Sequence, residues 1–204
     1  MNRDPDRTDI SRSACHLYLA GYRGSGKSSV GQLLATRLRR PWIDLDDAIE
    51  SRVGRSIREI FASGGEAEFR DREEATLAAI ASQPPAVISL GGGAVLRPNN
   101  RRLIADTGVC VWLQVDATTV LERLKRDAST AERRPALTGL PQREEIEKLL
   151  AERQPLYDQV ARYRIDTVGR EIDEIAQQTL AAIRADRAAP LPPSLINPDE
   201  TPPA

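Results

Sequence analysis

The sequence predicts an α/β domain with a parallel sheet covered by helices on both faces, and three observations predict it. Short apolar runs of strand character alternate with helical patterns along the chain. A glycine-rich phosphate-loop pattern, Gly21-Tyr22-Arg23-Gly24-Ser25-Gly26-Lys27-Ser28, joins the first such run to the first helix. The length, 204 residues, supports one substantial core and is short for two. In a sheet of this kind the functional loops gather at the carboxyl ends of the strands.

The first strand is expected over residues 14–20, and Val30, Leu33, Leu34 and Leu38 then recur at helical spacing. A short second strand follows at Trp42-Ile43-Asp44, and a helix is expected from Ala48, with Asp46 or Asp47 able to cap it. Between Ile57 and Arg70 one helix ends at the pair Gly64-Gly65 and another starts. The third strand covers residues 86–90 and runs into Gly91-Gly92-Gly93; the fourth covers residues 109–113. A helix-poor stretch at 128–141 has the character of a lid over a nucleotide. Pro155 interrupts the next helix and is expected to bend it, re-aiming Arg153. The fifth strand lies at residues 163–166, and Ile172, Ile175, Ala176, Thr179, Leu180 and Ile183 form the apolar stripe of the last helix. Residues 1–12 and the proline-rich residues 188–204 are expected to be disordered tails around a domain spanning 13–187.

Net charge is −1 with 29% charged residues, so the whole-chain field gives no reason to expect nucleic acid or an anionic membrane as partner. No apolar run approaches the roughly 20 residues that cross a bilayer, and the N-terminal MNRDPDRTDISRS lacks the apolar segment of a signal peptide. A cytoplasmic monomer is expected. Cys15 and Cys110, the only cysteines, lie in apolar strand-like segments and read as small buried hydrophobes, with neither disulfide nor zinc. The single histidine, His16, lies in the first strand's apolar run, so catalysis is expected to proceed without histidine.

The chemistry begins at the phosphate loop. Its glycines let backbone N–H groups turn toward an anion, and the following helix aims its positive end at the same point. Lys27 can reach β- and γ-phosphates, and the Ser28 hydroxyl can ligate Mg²⁺. Asp44-Leu45-Asp46-Asp47 adds carboxylates that can support the metal through water or hold an acceptor hydroxyl. Arg70 has Glu66 and Glu74 four residues to either side, so an ion-pair ladder is the alternative to a ligand contact. Gly91-Gly92-Gly93 permits close backbone approach to a ligand, or is a plain turn. Arg133-Arg134-Pro135 places arginines on the lid, where one can address transferring phosphates.

These residues together resemble the shikimate kinase family. The resemblance is carried by the phosphate loop, Asp44-Leu45-Asp46, Ile60-Phe61…Gly65-Glu66…Phe69-Arg70, Gly91-Gly92-Gly93, Arg134-Pro135-x-Leu137 and Arg153-x-Pro155-Leu156-Tyr157. They occur in the family's order over about residues 14–170. Many unrelated enzymes share the phosphate loop; the later motifs make the match specific.

The resemblance implies a P-loop, nucleoside-monophosphate-kinase-like fold, with five parallel strands in the order 2-3-1-4-5 and a mobile lid. It implies ATP-dependent phosphorylation of the 3-hydroxyl of shikimate, in chorismate and aromatic amino-acid biosynthesis. Gly24, Ser25, Gly26, Lys27, Ser28 and Ser29 then surround the triphosphate, with Ser28 on Mg²⁺ and Asp44 supporting it. Asp46, Arg70, Gly91, Gly92, Gly93 and Arg153 hold shikimate. Lys27, Asp46 and Arg134 carry the catalytic roles, Asp46 orienting the hydroxyl first and acting as base second. Arg133 beside Arg134 offers a second lid position, and the Arg-Pro pairing favours Arg134. Arg126 and Arg170 are candidates for the adenine, although Thr167-Val168-Gly169-Arg170-Glu171 departs from the family in lacking the proline that often helps sandwich the base. A gluconate kinase shares the cradle, but the paired arginines and the triple glycine weigh against it. A GTPase would need a guanine-reading Asn-Lys-x-Asp, and no Asn here precedes a Lys.

Overall fold

The structure, a computed structural model, describes residues 15–126 and 141–185. Both terminal segments and residues 127–140, with Arg133 and Arg134, lie outside the described residues. Five strands form one parallel sheet: β1 (His16–Ala20), β2 (Trp42–Asp44), β3 (Val87–Ser89), β4 (Gly108–Gln114) and β5 (Tyr163–Asp166), in the order β2-β3-β1-β4-β5. Leu19 of β1 is in register with Ser89 of β3 and Val111 of β4, so the loops leaving β1 and β3 start side by side.

Alternation along β1 divides the core in two. Leu17 and Leu19 face the layer made by α1 (Lys27–Leu38) and the C-terminal helix α7 (Ile172–Ala185), where Leu34, Ile175 and Leu180 pack. Tyr18 and Ala20 face the opposite layer, built from α2 (Leu45–Val53), α3 (Ile57–Ala81), α4 (Pro98–Thr107) and α6 (Gln142–Val160). The remaining helix, α5 (Ala117–Arg126), follows β4. Among the described residues no helix is long and apolar enough to cross a membrane.

Three local expectations meet different outcomes in the structure. Helix α2 begins at Leu45, not Ala48, because Asp44 is the cap: its Oδ1 accepts the Asp46 N–H at 3.0 Å. The carboxylates of Asp46 and Asp47 are therefore not needed as caps. The break expected at Gly64-Gly65 is present within α3, where Gly65 adopts φ 67°, ψ −163°, a conformation open to glycine. Helix α6 runs from Gln142 to Val160 through Pro155, and no bend is required to aim Arg153. Ile146, Leu149, Arg153 and Tyr157 are all buried at helical spacing, so Arg153 is turned inward as a member of one stripe.

His16 and both cysteines are interior. The Ala86 N–H donates to His16 Nδ1 at 3.1 Å, so the opposite nitrogen carries the proton and faces the Ala81 carbonyl at 3.3 Å. Burial holds this imidazole below its ordinary pKa. Cys15 and Cys110 are buried and form no disulfide among the described residues, and burial pushes the Cys110 thiol up to about 12.

Candidate active site

The phosphate loop leaves β1 through Gly21, Gly24 and Gly26, all at positive φ. A Cβ on Gly21 would stand 2.6 Å from the Leu113 carbonyl oxygen, so bulk as well as conformation demands glycine there. The Lys27 ammonium donates to the Gly21 and Tyr22 carbonyls, each at 2.9 Å, which folds its side chain back across the loop. Ser89 fixes the start of α1 from β3: its hydroxyl accepts from Trp42 Nε1 and donates to the Lys27 carbonyl, both at 3.0 Å. Ser25 is wholly buried inside the loop, while Ser28 and Ser29 are exposed at its mouth.

Ser28 Oγ donates to Asp44 Oδ2 at 3.0 Å, bringing the end of β2 to the start of α1. Burial, reinforced by the neighbouring Asp46 carboxylate, pushes the Asp44 carboxyl above its ordinary range. A hydroxyl and a carboxylate at this spacing form an oxygen pair suited to a hard divalent cation, whose charge would draw that carboxyl back down. Asp46, partly exposed in the first turn of α2, stands two residues further on.

The two arginines expected at the acceptor converge on the loop after β3. Arg153 Nη1 donates to the Gly92 carbonyl at 3.3 Å, and Tyr157 Oη donates to the same oxygen at 2.5 Å. The Arg70 guanidinium lies against Gly93, where a Cβ would meet Nη2 at 2.4 Å. A Cβ on Gly92 would be 3.6 Å from the Gly21 carbonyl oxygen, so the glycine loop abuts the phosphate loop directly. Gly91 is buried beside them.

The ladder expected around Arg70 has one member wrong. Arg70 pairs with Glu66 at 3.0 Å and with Glu73 at 2.7 Å, whereas Glu74 pairs with Arg97. Glu73 falls on the inward stripe with Phe69, Leu77 and Ile80, and Glu74 one position round the helix does not. Burial works against the Arg70 charge, but Glu73 and Glu66 outweigh it and hold the guanidinium above its ordinary pKa. Both Arg70 and Arg153 are only 6% exposed, which is no geometry for a solvated surface pair.

Arg170 turns its guanidinium onto Gln178 of α7, and Arg126 is exposed at the end of α5. Three residues of the site were not singled out from sequence. Tyr22 has two guanidiniums near its ring, Arg23 at 5.8 Å and Arg153 at 5.7 Å from the ring centre. Arg23 Nε is buried without a hydrogen-bond partner among the described residues. Arg123 joins the phosphate loop to Thr167.

A parallel sheet in this order, a phosphate loop after its central strand and a cationic glycine loop beside it define a P-loop kinase of the nucleoside-monophosphate-kinase-like class. A family model described as shikimate kinase matches residues 23–184. A shikimate kinase of Rhodopirellula baltica is 50% identical over 167 residues, covering 82% of this chain and 89% of the relative. One of Symbiobacterium thermophilum is 38% identical over 169 residues, covering 83% and 96%. The solved shikimate kinase of Acinetobacter baumannii in complex with shikimate superposes with a TM-score of 0.82 at 33% identity, covering 91% of this chain and 100% of that one. The chain belongs to the shikimate kinase family.

Proposed function

We propose that this protein transfers the γ-phosphoryl group of ATP to the 3-hydroxyl of shikimate, giving shikimate 3-phosphate and ADP on the route to chorismate and the aromatic amino acids. The observation that carries the reading is the convergence of Arg70 and Arg153 on Gly92 and Gly93, against the wall of the phosphate loop. Two buried guanidiniums bind one carboxylate by charge-assisted hydrogen bonds, and shikimate presents one carboxylate with three hydroxyls. With the carboxylate held there, Asp46 is the side chain assigned to accept from the ring hydroxyls.

Catalysis on this reading is positioning and charge neutralisation. Loop N–H groups from Gly24 to Ser29 cradle the triphosphate, and Lys27 exchanges its carbonyl partners for phosphate oxygens. Asp46 orients the attacking hydroxyl and takes its proton as the bond to phosphorus forms. Arg134 supplies lid charge to the transferring group, with Arg133 as the alternative position. Ser28 and Asp44 fit Mg²⁺, which when bound neutralises phosphate charge. Arg126 and Arg170 are the adenine-side candidates. The protein acts as a cytoplasmic monomer.

A coupled ADP assay with shikimate, with gluconate and with no acceptor tests the reading. ADP release that depends on shikimate supports it. Equal turnover with gluconate, or acceptor-independent hydrolysis, overturns it.

A further inference from the structure

Of the three carbonyls in Gly91-Gly92-Gly93, two are held by the turn itself: the Ala94 N–H donates to Gly91 and the Leu96 N–H to Gly93, each at 3.0 Å. The Gly92 carbonyl is held from across the chain instead. It accepts from Tyr157 Oη at 2.5 Å and from Arg153 Nη1 at 3.3 Å, two donors one helical turn apart on α6, and both of its lone pairs are thereby engaged. Gly92 and Arg153 are buried and Tyr157 is 1% exposed, so neither bond competes with bulk water.

The two donors are unequal. Arg153 carries the charge that an acceptor carboxylate needs, and rotation of its guanidinium toward that anion loosens the longer of the two bonds. The tyrosine hydroxyl is neutral and makes the shorter bond, so it keeps the carbonyl in place while Arg153 turns. Its ring is braced as well: it stacks on Trp112 with ring centres 5.7 Å apart, and Trp112 is the register partner of Ala20, the last residue before the phosphate loop. A hydroxyl on this support fixes the plane of the Gly92–Gly93 peptide. The Gly93 N–H leaves the opposite edge of the same planar trans unit, and Gly93 is the residue against which the Arg70 guanidinium lies.

We infer that the Tyr157 hydroxyl is a positioning residue for the acceptor anion: by holding the Gly92 carbonyl it sets the glycine loop and leaves Arg153 free to pair with a carboxylate. It acts on the acceptor and not on the nucleotide. The inference rests on the kinase reading above.

The test is Tyr157→Phe, which removes one oxygen and keeps the ring on Trp112. The variant is assayed with shikimate and with ATP varied in turn, titrated calorimetrically with shikimate, melted, and compared with the parent by the backbone amide resonance of Gly93. Loss of one buried hydrogen bond, with the carbonyl left to Arg153, predicts shikimate affinity weakened about 3- to 10-fold and the KM for ATP within about twofold. A loss of less than about threefold in shikimate affinity overturns the inference, as does an equal rise in both KM values. So does a lowered melting temperature with both KM values unchanged, which is what a purely structural tyrosine gives. The Gly93 resonance needs no acceptor: it shifts when the preceding carbonyl loses its anchor, and an unmoved resonance also overturns the inference. A parent without shikimate-dependent turnover defeats the kinase reading, and the Gly93 resonance still reports on the anchor.

Discussion

Gly93→Ala separates a ligand-binding Arg70 from a merely structural one. Gly93 has φ −107° and ψ 2°, which alanine adopts without strain, so the substitution acts through space alone. Its new Cβ would stand 2.4, 2.6 and 2.7 Å from the Arg70 Nη2, Nη1 and Cζ atoms, against an ordinary contact of at least 3.4 Å. The guanidinium must retreat by about 1 Å, against the ion pairs to Glu73 and Glu66 that hold it. Stability should fall, but by less than the cost of removing the arginine, since the displaced guanidinium keeps its charge beside Glu73 and Glu66 while alanine restricts the unfolded chain. Shikimate should lose one well-placed charge-assisted interaction, about 1.5–3 kcal/mol or roughly 10- to 150-fold in affinity. Arg70→Ala is a poorer experiment. It removes the partner of Glu73, which is 0% exposed, and breaking such a buried pair costs about 3–5 kcal/mol and confounds binding with folding. Calorimetric titration of Gly93→Ala with shikimate and with a non-hydrolysable ATP analogue, alongside a thermal melt, makes the measurement. A folded variant with unchanged shikimate affinity would refute the placement of the acceptor carboxylate.

Lys27→Ala should cut turnover by about 100- to 1,000-fold while leaving the melting temperature nearly unchanged, because the ammonium's partners are loop carbonyls that water can also satisfy. Near-normal kcat in the folded variant would remove the phosphate-loop assignment. Arg134→Ala should damage ATP use and phosphoryl transfer more than shikimate binding, and more than Arg133→Ala does; steady-state kinetics showing the reverse ranking would move the lid arginine by one position. The folded-state pKa of His16 lies below the unfolded value of 6.5, so the unfolded chain takes up the proton first. Its contribution to stability is complete above pH 6.5 and is lost as pH falls through the folded pKa. Melts between pH 8 and pH 5 should therefore show a steeper acid-side fall for the parent than for His16→Gln, and equal falls would exclude the histidine as a source.

Strand and loop placement were legible because the signals are local, while the strand order followed from the family resemblance. A strand, a glycine turn and a helix follow one another between Cys15 and Leu38, and β1 then sits at the centre of the sheet by family resemblance. The acceptor side was legible as motifs whose convergence only the fold displays: Arg153 and Gly92 are 61 residues apart in sequence. Glu73 was missed because helical spacing from Arg70 offers Glu66, Glu73 and Glu74 alike, and only burial of the Phe69, Leu77 and Ile80 stripe selects among them. That stripe was readable, and an acid within it was the available signal. Arg123 left no such trace, since its two shorter hydrogen bonds go to main-chain carbonyls and carbonyls have no sequence signature. At Pro155 the sequence drew attention to a bend, whereas the helical spacing of Ile146, Leu149, Arg153 and Tyr157 by itself accounts for the inward aim of the arginine.

The two halves of the arginine cluster differ in when they can form. Arg70 meets Glu73 and Glu66 within one turn of its own helix, so its fork is oriented as soon as α3 winds. Arg153 reaches Gly92 only after α6 has docked across the chain, a closure with a far larger entropic cost before any contact repays it. During synthesis α3 emerges before α6, so the Arg70–Glu73 pair can form locally before the Arg153 side of the cluster exists. Substitutions on the α3 side should therefore slow folding where that helix belongs to the nucleus, while substitutions at Arg153 or Tyr157 should chiefly speed unfolding.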